Sequence, residues 1–400
     1  MVKKLFYCFW LVSFLISCKD EPKDSACADT WEADPAGNWY LGDMHVHATG
    51  ASNDTGGDSY PGDIANMAKQ RGLHFVVLTD HSNSTGSDAT TTDEDSTLFN
   101  QGPEFPYWDS AAYYTDNNFL MVCGNEISPV NPSNSVPTGH IGCIPADLNT
   151  FNKNYVFTDR PKGAVTGADV MSQATAAGCF KILNHPYAPT KWIAYDWTSF
   201  DYDAIEIWNG TIGYDEWDGY AYNAWICDLL SGKQVTPIGS SDNHRVNTAP
   251  PGMFLDPALG YPVTAVFASS LTWDNIIAGM KKGDVALFEG ESRLFINDYN
   301  ESKCHAKGNN IEWIRLRGKV DPNLQDPVLK LHFFTACTDP RPGLVGYPEL
   351  IGNVIHEVAL TIGETFDIAV KVSGGTGVYN AMLKGYGQQY VAISKAVVAK

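Results

Sequence analysis

Several catalytic frameworks are missing from this chain, and each absence removes a chemistry. None of its nine cysteines has another three positions on, so neither a thiolate zinc site nor a thioredoxin-type couple is present. No Gly-x-Ser-x-Gly elbow presents a serine nucleophile, and no glycine-rich loop ending in Gly-Lys cradles a phosphate. Positive charge is scarce: 27 Lys and Arg stand against 46 Asp and Glu, for a net charge of -19. A nucleic-acid scaffold is therefore not an expected partner, since neutralising a phosphate backbone needs clustered cations. A small-molecule ester substrate, phosphorylated or not, remains open, because bound metal ions invert the local field of an acidic protein. No long apolar span is evident either. The apolar run Leu5 to Ile16 is shorter than the roughly 20 residues a membrane-crossing helix needs.

What that run does suit is export. Lys3 and Lys4 precede it, and it ends in Leu15-Ile16-Ser17-Cys18. This ending resembles a bacterial lipobox, which implies a lipid on Cys18, with residues 1–18 as signal peptide and 19–37 as a polar tether. The protein is then expected on the periplasmic or cell-surface side of a bacterial membrane, anchored through Cys18. Removing Cys8 with the signal and assigning Cys18 to lipid leaves an odd number of cysteines, in a compartment that permits disulfides. Cys304 with Cys337 is the expected bridge, while Cys123, Cys143 and Cys179 sit in apolar runs and are expected as small buried core residues.

Beyond the tether, short apolar runs end repeatedly in residues that bind metals. Trp39 to Gly42 leads into Asp43-Met44-His45-Val46-His47, Leu73 to Leu78 into Thr79-Asp80-His81, and Phe119 to Cys123 into Gly124-Asn125-Glu126. Gly139 to Ile144 carries His140 near its start, and Phe180 to Leu183 leads into Asn184-His185-Pro186. Ala204 to Trp208 reaches Asn209, and Val235 to Ile238 reaches Gly239-Ser240-Ser241-Asp242-Asn243-His244. Helical segments at Pro61 to Arg71, Gly167 to Ala177 and Glu216 to Leu230 intervene. Strands alternating with helices predict parallel strands joined by crossovers, and ligands gathered at strand ends predict a rim site on a closed barrel. The expected fold is α/β: a distorted seven-stranded (β/α)7 barrel over 38–290, followed by a small β-rich, sandwich-like domain over 291–400. An open doubly wound sheet is the alternative, but its ligands would come from strands beside one switch point.

His45 and His47, two apart on a strand, point to the same face and so toward one ion. Asp242 and His244 repeat that spacing, and the coincidence of six histidines at run ends outweighs any single pair. His74 begins its run and is expected to pack at the opposite end; His305, His332 and His356 lack partners and are read as structural.

The series Asp-Met-His-Val-His, Thr-Asp-His, Gly-Asn-Glu, a lone histidine, Asn-His-Pro and Ser-Asp-Asn-His resembles the polymerase and histidinol phosphatase (PHP) metallo-domain over about 38–290. Tyr261-Pro262-Val263-Thr264 and Gly279 to Gly283 are similar to its carbaryl-hydrolase-like subgroup. The resemblance implies two or three divalent ions (Zn, Mn or Fe). His45, His47 and Asp242 would hold the first, Glu126 would bridge to a second completed by His140 and His185, and His81 with His244 would hold a third. The family's Ser-Asp-Gly loop is replaced here by 51–58, so the third ion's acidic ligand is Asp54, with Asp58 as the fallback.

Around these ligands, Asp43 and Asp80 are placed to orient imidazoles. Glu206 sits mid-run and faces either the interior or the helices; Asn209 is the better pocket residue. Arg160, Lys191 and Arg245 are candidate anion contacts, of which Arg245, next to His244, is preferred. Glu126, Asp242 and Arg245 form the candidate catalytic set. The acidic insertion 83–118 is a lid or solvated surface, and Trp192, Tyr195 and Trp197 wall a pocket or pack the core. Such a centre predicts a metal-dependent hydrolase using a metal-bound hydroxide, most simply a phosphoesterase. A carboxylester or carbamate hydrolase is the enzymatic alternative. A lipid-anchored binding protein with structural metal is the alternative of another class.

Overall fold

The computed structural model describes residues 33–34, 37–49, 52, 55, 58–81, 107–129, 139–153, 155, 157, 165–188, 201–210, 214–250, 257–300, 307–341, 346–386 and 390–400. In chain order, the first part contains β1 (Ala33–Asp34), β2 (Gly37–Val46), α1 (Pro61–Gln70), β3 (Phe75–Leu78), α2 (Tyr107–Tyr114), β4 (Leu120–Cys123), β5 (Asn125–Ile127) and β6 (His140–Pro145). It continues with α3 (Gly167–Ala177), β7 (Cys179–Asn184), β8 (Ala204–Asn209), α4 (Glu216–Leu230), β9 (Thr236–Ser240), β10 (Val263–Ala268), α5 (Trp273–Lys282) and β11 (Val285–Phe288). The remainder is strand: β12 (Arg293–Tyr299), β13 (Trp313–Lys319), β14 (Val328–Thr338), β15 (Glu349–Ala359), β16 (Thr365–Lys371), β17 (Gly377–Lys384), β18 (Tyr390–Ile393) and β19 (Val397–Ala399).

The architecture is mixed α/β, and its strands are not uniformly parallel. β2, β3 and β4 pair in parallel, as do β7, β8 and β9. Between these groups, β6 runs antiparallel to both β5 and β7. The two sheets approach each other at a His81–Glu126 bridge and again at a Val46–Asn243 bridge. The second contact is reinforced by the His47 amide donating to the Asn243 carbonyl at 2.9 Å. The regular strand-helix alternation of a (β/α)7 barrel is therefore not what these pairings make. The reversal of β6 has a sequence signature: its histidine stands at the start of the run, where the other runs carry theirs at the end.

Local chemistry accounts for the helices. Thr166 and Asp169 form a capping box on α3, which ends at Gly178 with φ 82, a left-handed conformation suited to glycine. Asp215 and Asp218 cap α4 in the same way. α4 is apolar around most of its circumference because it is covered on both sides, by β8 and by β14, β15 and β17.

The boundary expected at 290 falls between β11 and β12, yet the large sheet crosses it: Leu287 of β11 pairs with Ile393 of β18. β12, β13 and β16 form a separate sheet. Cys337 is bonded to Cys227 of α4, which replaces the expected Cys304 pairing; Cys304 lies outside the described residues. Cys143 and Cys179 are buried as expected and are also joined to each other, because antiparallel β6 and β7 set them close together. Cys123 is buried. Among the described residues no helix is long and apolar enough to cross a membrane.

Candidate metal centre

Five strand ends deliver the six histidines. His45 lies in β2 and His47 just beyond it, His81 follows β3, His140 opens β6, His185 follows β7 and His244 follows β9. Because β6 is reversed, the start of β6 lies beside the end of β7, and His140 pairs in register with Asn184. All six rings therefore reach one end of the sheets.

Glu126 is the hub. Its carboxylate lies 2.8 Å from His140 Nδ1, 3.2 Å from His45 Nε2, 3.2 Å from His81 Nδ1, 3.2 Å from His185 Nε2 and 3.6 Å from His47 Nε2. Asn184 Nδ2 also donates to it at 3.0 Å. Asp242 is a second hub, with Oδ1 at 3.1 Å from both His45 Nε2 and His47 Nε2 and 3.8 Å from His244 Nδ1. Asp242 adopts φ 53 and His185 φ 28, so both turns leave the strand through the left-handed region.

Burial and charge pull against each other here. Burial would raise the Glu126 carboxyl, but the neighbouring His140 and His45 hold it well below the ordinary carboxylate range. Asp242 is likewise held low against burial, by His45, His47 and His244. Burial, with His244 and His81 alongside, drops His47 to about 3. His45 rises well above its usual value despite burial, because Asp242, Glu126 and Glu206 surround it.

The donor set fits divalent cations. Two nitrogen ligands of one tetrahedral ion stand roughly 3.3 Å apart when each bond is about 2.0–2.1 Å. His45 Nε2 and His47 Nε2 are 3.2 Å apart, and His140 Nδ1 and His185 Nε2 are 3.3 Å apart. Asp242 Oδ1 is buried without a hydrogen-bond partner. Four groupings offer convergent ligand atoms: His47, His81 and His244; His45, His185 and Asp242; His45, His47 and Glu126; and His81, Glu126 and His140. These cut across the partition the resemblance implies, since His47 also sits with His81 and His244, and His81 with His140.

The expected ligands His45, His47, His81, Glu126, His140, His185, Asp242 and His244 are thus brought together. Asp54 lies outside the described residues. Asp58 is exposed, hydrogen-bonds Asn247 and belongs to none of these groupings. Arg245 is exposed beside His244. Arg160, Lys191, Trp192, Tyr195, Trp197 and residues 82–106 lie outside the described residues.

Asp43, expected to orient an imidazole, does something else, and Asp80 also holds backbone. Asp43 accepts from the Ser241 hydroxyl at 2.5 Å and from the backbone amides of Ser241, Gly260 and His45, so it clamps loops rather than a ring. Asp80 accepts from the Ala48 amide at 2.6 Å, which ties the ends of β2 and β3 together. Ring orientation falls to residues not singled out for it. Ser52 Oγ lies 3.1 Å from His47 Nδ1 and takes the His81 amide at 3.2 Å. Glu206 Oε1 lies 3.3 Å from His45 Nδ1. Asn209, the expected pocket residue, reaches Asp242 Oδ2 at 3.4 Å. His74 behaves as expected, accepting from the Leu41 amide at 2.9 Å away from the cluster.

No protein-family model matches the chain, and no curated protein sequence matches it. Two solved structures show partial similarity to the chain. A two-domain protein from Bacteroides vulgatus containing a predicted PHP-like metal-dependent phosphoesterase is 17% identical, with TM-score 0.46, over 90% of this chain and 95% of that one. Endonuclease Q, in complex with a duplex carrying an abasic lesion, is 14% identical, with TM-score 0.38, over 61% of this chain and 57% of that one.

Proposed function

We propose that this chain is a metal-dependent hydrolase of phosphoesters, of the PHP type. The observation that carries the reading is the convergence of six imidazoles on two carboxylates, buried Glu126 and half-buried Asp242, at one end of the sheets. His45, His47, His81, His140, His185 and His244 with Glu126 and Asp242 would hold two or three ions, and a purely structural site rarely needs so many ligands. Divalent ions held there would supply Lewis acidity and would lower the pKa of water enough to make a nucleophile available at neutral pH. The protein's own groups do the rest. Glu126 and Asp242 keep the histidines converged, Asn209 donates to Asp242 at 3.4 Å, and exposed Arg245 adds a cation beside the site for an anionic ester.

The N-terminal pattern supports an exported protein tethered through lipid on Cys18. The test is to purify the protein without residues 1–18, measure its bound metal, and screen aryl phosphates, phosphodiesters and aryl esters. Turnover of a phosphoester, lost on chelation and regained with Mn or Zn, is expected. Preference for an aryl ester would move the assignment to carboxylester hydrolysis. A metal-loaded protein inert to every ester would make it a binding protein.

A further inference from the structure

We propose that Glu206 is the positioning residue of this centre: it selects which nitrogen of His45 faces the cation and pins the backbone of His185, without itself being a ligand. The inference rests on the metal-centre reading above.

Glu206 is buried in β8 and belongs to none of the four ligand groupings. Each of its oxygens meets two polar groups. Oε1 accepts from the Ser240 hydroxyl at 2.5 Å and lies 3.3 Å from His45 Nδ1. Oε2 accepts from the His185 amide at 2.7 Å and from Asn209 Nδ2 at 3.0 Å. One carboxylate therefore ties together β2, the end of β7, β8 and β9. A carboxylate only accepts, with about four lone-pair positions, so this arrangement uses them all when His45 Nδ1 carries the proton.

Two consequences follow for the ligands. With its proton on Nδ1, His45 presents Nε2 toward His47 Nε2, Asp242 Oδ1 and Glu126 Oε1, which lie 3.2, 3.1 and 3.2 Å away. Metal-bound histidines usually donate their other N–H to such a partner, which fixes both tautomer and ring angle. The second consequence concerns His185. At φ 28 it holds a conformation that side-chain-bearing residues rarely adopt, and the bond from its amide to Glu206 keeps it there. That turn brings His185 Nε2 to 3.2 Å from Glu126 Oε1 and 3.3 Å from His140 Nδ1. Glutamine has the same shape but only one accepting oxygen, so it loses either the Ser240 and His45 side or the His185 and Asn209 side.

The experiment compares wild type with Glu206→Gln, measuring Zn2+ affinity by chelator competition, ester turnover, and the His45 ring in the zinc-loaded protein by 15N-edited NMR. Wild type is expected to show the proton on Nδ1 of His45, and Glu206→Gln to bind Zn2+ about 10- to 100-fold more weakly. The metal-free variant should still melt cooperatively. Equal Zn2+ affinity in the two proteins overturns the proposal, and so does a His45 proton found on Nε2 in zinc-loaded wild type, a measurement that decides even if the variant does not fold. Weaker Zn2+ binding by Glu206→Gln in a protein that hydrolyses no ester supports the role of Glu206 while defeating the hydrolase assignment. Wild type that binds no Zn2+ or Mn2+ defeats both.

Discussion

Nε2 of His45 and Oδ1 of Asp242 lie 3.1 Å apart, in a position where that oxygen is buried and has no hydrogen-bond partner. A cation among these converging nitrogen and oxygen atoms would be bound by both. Mn or Zn at 100 times its dissociation constant should stabilise the fold by about 2.7 kcal/mol. Calorimetry should show a higher Tm with metal and a lower one with a chelator, and a Tm indifferent to both would count against the site.

Glu126 touches five histidines, so its replacement should be felt by every ion. Glu126→Gln is expected to lower turnover by more than about 100-fold and to reduce bound metal, since even changes to outer partners of a ligand cost about 10–100-fold. His74→Ala is the control. It deletes a hydrogen bond to Leu41 distant from the cluster, for a stability loss of about 1 kcal/mol and little change in kcat. Equal losses in both variants would remove the distinction between the clustered histidines and His74.

Gly210 follows β8, and a Cβ placed on it would collide with the Ser241 backbone carbonyl, immediately before Asp242. Backbone cannot yield as a flexible side chain can. Gly210→Ala should shift the Asp242 turn and weaken metal binding while leaving α3 and its cap intact. Isothermal titration with Zn2+ reads the effect, and unchanged affinity would show that the turn has slack.

Glu289 is buried beside Tyr261, and burial raises its carboxyl from 4.5 to about 8. Between those values the unfolded chain has released a proton that the folded chain keeps, so stability falls as pH rises through the window. Glu289→Gln should flatten that decline and raise Tm most at the alkaline end. Urea denaturation from pH 5 to pH 8 would test it; parallel curves for the two proteins would exclude Glu289 as the cause.

Arg341 is buried and contacts Asp228 at 3.0 Å, Asp339 at 2.8 Å and the Tyr202 hydroxyl at 3.2 Å, next to the Cys227–Cys337 bond. Removing it strands Asp228 in the interior. Arg341→Ala should cost about 3–5 kcal/mol. A fall of under about 1 kcal/mol in urea unfolding would mean that solvent reaches the pair.

Several features were legible in one dimension because short-range physics carries them. Helices α3 and α4 coincide with the segments expected to be helical, and their caps are local. Five of the six clustered histidines were visible because they close apolar runs, while His140, which opens β6, reaches the same end only through the reversal of that strand. Asp43 was expected to orient an imidazole and instead clamps loops, and the side Glu206 faces was left open. Both are buried carboxylates in strands, and what each does depends on partners far along the chain: Ser241 and Gly260 for Asp43, His45 and His185 for Glu206. The same holds for Cys337, whose partner Cys227 lies on a helix that only packing brings alongside.

Sequence alone therefore marked the candidate ligands, because five of the histidines close their apolar runs and strand periodicity carries such residues to a common rim. Tertiary structure decided the direction of β6, the continuity of the large sheet through Leu287 and Ile393, and which carboxylate orients His45. Those depend on which strands pair, and pairing is set by long-range hydrogen bonds and burial that no local pattern encodes.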